Sequence, residues 1–219
     1  MMPSPFKKFA CRGNPAIFTM AATVLWVLAI ASSLVWINNH TSSPGNTGVI
    51  PAHWPADSRI VLDAHRPTLI LFAHPHCPCT AATVRELERL MAVCQGQVNA
   101  QVWFIKPAGT SNDWTNTALW HVAASIPGVT VHCDEAGGEG RRFAALTSGQ
   151  TVLYDQQGRL LFQGGITISR GHEGDNPGLA DLAATLNHES PAQIQTPVFG
   201  CPLFGAHCPP VKGDVLCQP

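Results

Sequence analysis

Two thiols and two imidazoles fall within six residues of this chain, His74-Pro75-His76-Cys77-Pro78-Cys79. A thiolate is both a nucleophile and a soft metal ligand, and imidazole is a ligand and a proton carrier. Such a set supports two kinds of chemistry: exchange between thiols and disulfides, or capture of copper or zinc. In the exchange reading Cys77 is the nucleophilic thiolate and Cys79 the resolving thiol. A protonated His74 or His76 then lowers the Cys77 pKa further, and no cofactor is required. A disulfide spanning one residue closes a tight ring whose strain raises the reduction potential, so the pair tends to oxidise or isomerise rather than reduce. In the metal reading Pro75 and Pro78 stiffen the loop, so two or three of His74, His76, Cys77 and Cys79 bind the ion with a ligand from elsewhere. A merely structural disulfide is the bland alternative, and packing needs alone seldom gather so many reactive side chains.

The flanking sequence positions these residues. Leu69-Ile70-Leu71-Phe72 is a short apolar run that predicts a buried strand, and an amphipathic helix is predicted over Ala81–Cys94. Cys77 therefore sits at a helix start, where backbone N–H groups and the helix dipole favour a thiolate, and Pro78 has the fixed φ of a first helical position. Val84, Leu87, Leu90, Met91 and Cys94 share the apolar face, with Arg85, Glu86, Glu88 and Arg89 on the polar one. Cys94 on that apolar face reads as a small hydrophobe. Further strands are predicted at Val98–Ile105, Val129–His132, Thr151–Tyr154 and Leu160–Phe162, the last two joined by the turn signal Asp155–Gly158. Helices are predicted at Asp113–Ser125, Glu139–Leu146 and, capped by Asn176 with Pro177 first, through Leu186. Ile60-Val61-Leu62 suggests an extra strand, and His132-Cys133 at a strand end reads as structural.

A strand ending in an aromatic, a short turn, two cysteines separated by proline and then a helix resembles the thioredoxin superfamily, over Pro67–Asn187. The resemblance implies an α/β fold with a central mixed sheet flanked by helices, and thiol–disulfide oxidoreductase activity on protein thiols and disulfides. This chain departs from the family in having one residue between the cysteines where two are usual. The family's cis-proline falls on Gln150, which makes Gln150 a candidate contact for a partner's backbone and opens the site to metal. A peroxidase role would need a Pro and Thr upstream of the nucleophile that are absent. More narrowly, FAHPHCPCT, GGITISRGHEGDNPG and VFGCPLF resemble the membrane-anchored bacterial RedB-type proteins. Arg170 and His172, in the Gly-rich stretch Gly164–Asp175, are further candidates for binding a partner or an anion. The rival reading of that stretch is a plain charged loop, and it carries no phosphate-loop or dinucleotide pattern.

Composition places the chain in a compartment. With 45% hydrophobic and 12% charged residues it is too apolar for a wholly soluble protein, and a net charge of −1 gives no case for nucleic acid. Residues 16–37 are uncharged and long enough to span a bilayer as a signal anchor, after a cytoplasmic N-terminus of residues 1–15 that carries Lys7, Lys8 and Arg12. Ala29-Ile30-Ala31 offers a signal-peptidase alternative, but the apolar run continues past it to Ile37. The expected arrangement is a single-pass protein of the inner membrane, with residues 38–58 as linker (38–48 a flexible tether), 59–190 as the exported domain and 191–219 as a Cys- and Pro-rich tail. Beyond the apolar segment lie Cys77, Cys79, Cys94, Cys133, Cys201, Cys208 and Cys217. That number is odd, so at least one stays free, binds metal or pairs between chains, and the three tail cysteines read as disulfide staples or a metal site.

Overall fold

The computed structural model describes residues 14–205 of the 219. Lys7, Lys8, Arg12, Cys208 and Cys217 lie outside the described residues. The chain divides into two units, Met1–His40 and Thr41–Pro219. The first holds most of helix α1 (Pro15–Ser42), which is long and apolar enough to cross a membrane and contains no Asp, Glu, Lys or Arg. Within it the Thr19, Thr23, Ser32 and Ser33 hydroxyls each donate to a carbonyl three or four residues earlier.

In the second unit five strands form one sheet in the order β3-β2-β1-β4-β5. β1 (Thr68–Ala73), β2 (Asn99–Lys106) and β3 (Val129–Glu135) are parallel, while β4 (Gln150–Tyr154) runs antiparallel to both its neighbours, β1 and β5 (Leu160–Gly164). Every residue of β1 is buried, so both faces of the central strand are covered. Leu69 and Leu71 point to the face covered by α2 (Pro78–Cys94) and α5 (Pro177–Leu186), where they meet Val84, Leu87, Leu90, Leu182 and Leu186. Ile70 and Phe72 point to the other, packed with Phe143, Tyr154, Ile50 and Ile60. Each large apolar side chain so buried contributes roughly 1.5–3 kcal/mol.

Three segments differ from the sequence expectation. The helix expected over Asp113–Ser125 breaks into a 3₁₀ turn at Asn112–Trp114 and α3 (Ala118–Ser125), because Thr117 caps the second piece by accepting from the Trp120 N–H. The Glu139–Leu146 helix is the shorter α4 (Gly138–Arg142). Ile60-Val61-Leu62 is not a strand; Ile60 is buried, while Val61 is largely exposed.

The segments on either side of the domain are laid onto it. Helix α1 continues to Ser42, and beyond it the Gly45 N–H donates to Val198 O at 2.8 Å. Thr147 Oγ1 donates to Asn46 O at 2.7 Å, and Tyr154 Oη to Pro51 O at 2.8 Å. The stretch expected to be a flexible tether is thus fastened from Gly45 onward, because the Gly45 N–H and the Asn46 carbonyl find partners on the domain and Gly48 packs against Ala144. The described part of the tail has only isolated bridges, Gln163 with Gln195 and Thr147 with Pro202, yet Val198, Phe199 and Leu203 are buried.

Candidate functional site

The reactive loop follows β1 directly. Ala73 ends the strand, the His74 N–H donates to Ser148 Oγ at 2.7 Å, and the Cys77 N–H turns back to His74 O at 3.1 Å. Cys77 is the extended residue that caps α2, and Pro78 opens the helix, where its missing N–H leaves nothing unsatisfied. On the neighbouring strand Gly149 has φ +95°, a conformation that favours glycine, and donates its N–H to Phe72 O. That turn sets Ser148 against the helix start, with its hydroxyl 2.6 Å from Thr80 Oγ1.

A third thiol completes the site. Cys201 comes from the tail, held by the Ser148 N–H donating to Cys201 O at 2.8 Å. The segment is fixed on both sides: Leu203 donates to Leu146 O, and the Arg170 guanidinium donates to Gly200 O. Gly200 lies so close to Ser148 that a Cβ there would fall on the Ser148 carbonyl oxygen.

The thiols are electrostatically unequal. Burial opposes ionisation of Cys77, but the side chains and backbone N–H groups of Thr80 and Cys201 hydrogen-bond its thiolate, and its pKa falls below the ordinary thiol value. Burial and the Cys77 charge raise the Cys79 pKa, with Arg170 offsetting part of the effect. Cys201 is pushed up to about 12 by burial and by Cys77, again against Arg170. The donors form a chain. Ser148 Oγ accepts from the His74 N–H, which leaves its own proton for Thr80 Oγ1 and the Thr80 proton for the Cys77 sulfur.

The sequence-predicted residues are only partly brought together. Cys77, Cys79 and Arg170 meet. Cys77 is not the more exposed thiol: it is 3% exposed, and Cys79 is half-buried. The expected protonated imidazole is not the principal support of the thiolate. Burial and the neighbouring His76 lower the His74 pKa, so His74 is neutral at pH 7, and Thr80 and Cys201 supply the leading favourable contributions. The two imidazoles instead edge against Trp114, with ring centroids 6.1 and 4.6 Å from it, and the His76 N–H donates to His74 Nδ1. Gln150 is 1% exposed and pairs with Phe72 in the sheet, which places its side chain on the face away from α2. It therefore cannot touch a partner with that side chain, and its Oε1 has no hydrogen-bond partner. No cis peptide occurs among the described residues. His172 is exposed on the Gly-rich loop, its N–H donating to Ser169 O. Among the described residues no group of three or more His, Cys, Asp or Glu side chains is arranged to hold a metal ion. Nδ1 of His74 accepts from the His76 N–H.

Sequence reasoning missed Thr80, Ser148, Trp114 and Cys201 as site residues. Only Cys201 carried a signal, within VFGCPLF, and nothing in chain order links it to Cys77. Glu86 was also misplaced on the polar face. It is wholly buried and accepts from the Gly174 N–H at 2.7 Å, Asn176 Nδ2 at 3.4 Å and Arg89 at 3.1 Å, clamping the loop that carries Arg170.

A mixed sheet of this strand order, with thiols at the start of the helix after the central strand, defines the class: the fold is thioredoxin-like. Among solved structures the chain is similar to an uncharacterized conserved protein from Geobacillus kaustophilus, at 17% identity and TM-score 0.53 over 74% of this chain and 92% of that one. It is also similar to a hypothetical protein from Sinorhizobium meliloti 1021, at 19% identity and TM-score 0.50 over 74% and 93%. A secreted Mycobacterium tuberculosis disulfide oxidoreductase matches at 15% identity and TM-score 0.41 over 58% and 84%. No protein-family model and no curated protein matches the chain.

Proposed function

We propose that this chain is a membrane-anchored thiol–disulfide oxidoreductase of the RedB type, acting on protein thiols and disulfides outside the cytoplasm through Cys77 and Cys79. The observation that carries the reading is the stabilised Cys77 thiolate at the start of α2, since the thiolate is the attacking species in exchange. In the reducing direction Cys77 attacks a partner disulfide, a Cys77–partner bond forms, and the other partner sulfur leaves as thiolate. Cys79 then attacks the Cys77 sulfur, the partner departs as a second thiol, and the protein keeps a Cys77–Cys79 disulfide. Two electrons have passed to the partner, and the same steps reversed oxidise it. The buried Cys77 is reached only where its cover yields, and Cys201 with its backbone is part of that cover.

The test is trapping in the full chain. Cys79→Ala with Cys201 also replaced by Ala, which removes the other neighbouring thiol, should accumulate a covalent partner on Cys77, and Cys77→Ala should accumulate none. If Cys77 alkylates no faster at neutral pH than Cys94, whose pKa burial raises, the nucleophile assignment is wrong.

A further inference from the structure

We infer that Cys201 is a third redox thiol of this site, forming with Cys77 a disulfide that interchanges with the Cys77–Cys79 bond. The inference rests on the oxidoreductase reading and adds a residue and a step to it. Cys201 hydrogen-bonds Cys77 through its side chain and its backbone N–H, and its segment is held there: its carbonyl accepts from Ser148, Gly200 packs on the Ser148 backbone, and the Arg170 guanidinium donates to Gly200 O. The Cys77 and Cys79 thiols lie close enough to interact, but a bond between them closes a small ring through Pro78 at the start of α2. A Cys77–Cys201 bond joins two separate segments and imposes no such small ring.

The interchange needs no added reactant. The Cys201 thiolate attacks the Cys77 sulfur of the Cys77–Cys79 disulfide; the Cys77–Cys201 bond forms, and the Cys77–Cys79 bond breaks. The electron pair leaves on Cys79, which takes up the proton that Cys201 gave up, and the oxidation level of the protein is unchanged. Arg170 lies close enough to both sulfurs to favour the anion on either, so it eases attack and departure alike. Burial and then Cys77 keep Cys201 protonated while Cys77 is a thiolate; once Cys77 is in a disulfide its contribution is gone, and burial is opposed by Arg170.

The experiment is disulfide mapping of the full chain in detergent after exposure to oxidised glutathione, with rapid alkylation and fragmentation that separates Cys201 from Cys208. The wild type should yield peptides joined through Cys77 and Cys201, alongside the Cys77–Cys79 form. Cys79→Ser should yield the Cys77–Cys201 bond with loss of Cys201 alkylation, and Cys201→Ser only the Cys77–Cys79 form. If Cys201 stays fully alkylatable in the wild type and in Cys79→Ser while Cys77 carries glutathione, the third-thiol inference falls and the oxidoreductase reading stands. If Cys77 takes up neither glutathione nor a protein thiol, both fall.

Discussion

Thr80→Val probes the basis of Cys77 reactivity most directly. The substitution keeps the side-chain volume and the backbone N–H but removes the hydroxyl that stabilises the Cys77 sulfur. A hydrogen bond to a charged group contributes about 1.5–3 kcal/mol. At about 1.4 kcal/mol per pKa unit, the Cys77 pKa should rise by roughly one to two units. Below both values the thiolate population drops by that factor, and the more basic thiolate recovers close to half of it on a logarithmic scale, so alkylation should slow roughly 3- to 10-fold. The assay is the pH profile of Cys77 alkylation in a Cys79→Ser background, read by peptide mass with the fold checked by circular dichroism. Ser148→Ala should shift the profile in the same direction by less, because Ser148 acts only by polarising the Thr80 hydroxyl. An unchanged midpoint in Thr80→Val would refute the donor chain from His74 to Cys77.

Other expectations follow from the same geometry. Glu86→Ala strands the Gly174 N–H and removes one of the two bonds of Asn176 Nδ2, and should cost about 1–3 kcal/mol, read by chemical denaturation; a loss under about 1 kcal/mol would mean that water replaces the carboxylate. His74 has a folded pKa below its usual 6.5, so its contribution to stability is complete above pH 6.5 and is lost as pH falls through the folded value. The decline in denaturation midpoint below pH 6.5 should therefore be shallower in His74→Asn, and an identical decline would exclude His74 as its source. Metal analysis of the full chain should find copper and zinc well below stoichiometric amounts, whereas a stoichiometric ion lost on joint replacement of His74 and His76 by Ala would establish a metal carrier instead.

The framework of the domain was readable because its signals are local. Strand runs such as Leu69–Phe72, the 3.6-residue stripe of α2 and the Asn176-Pro177 start of α5 each specify their own element. Cys77 at a helix start was legible for the same reason. What the sequence hid is non-local. Glu86 looks like a surface residue until the Gly174 N–H and the Asn176 amide arrive to bond it. Gln150 looked like an approachable strand start until pairing with Phe72 turned its side chain into the core. Cys201 lies far along the chain from Cys77, and the packing and hydrogen bonds of its segment on Ser148, Leu146 and Arg170 bring it in. The burial of Cys77 left no local mark, because the cover over it comes in part from that same distant segment.

The crossing of the two flanking segments at the Gly45–Val198 hydrogen bond redraws where this domain can be cut. An excision at residues 59–190, suggested by chain order, would remove Ile50 and Trp54 from one side and Val198, Phe199 and Leu203 from the other. At roughly 1.5–3 kcal/mol for each large buried side chain, those losses together rival the whole stability of an ordinary domain, about 5–15 kcal/mol. It would also discard one of the three clustered sulfurs. The smallest autonomous piece therefore begins just after helix α1 and reaches at least Leu203, and the ends that look like trimmings in the linear chain close the structure like the two halves of a clasp.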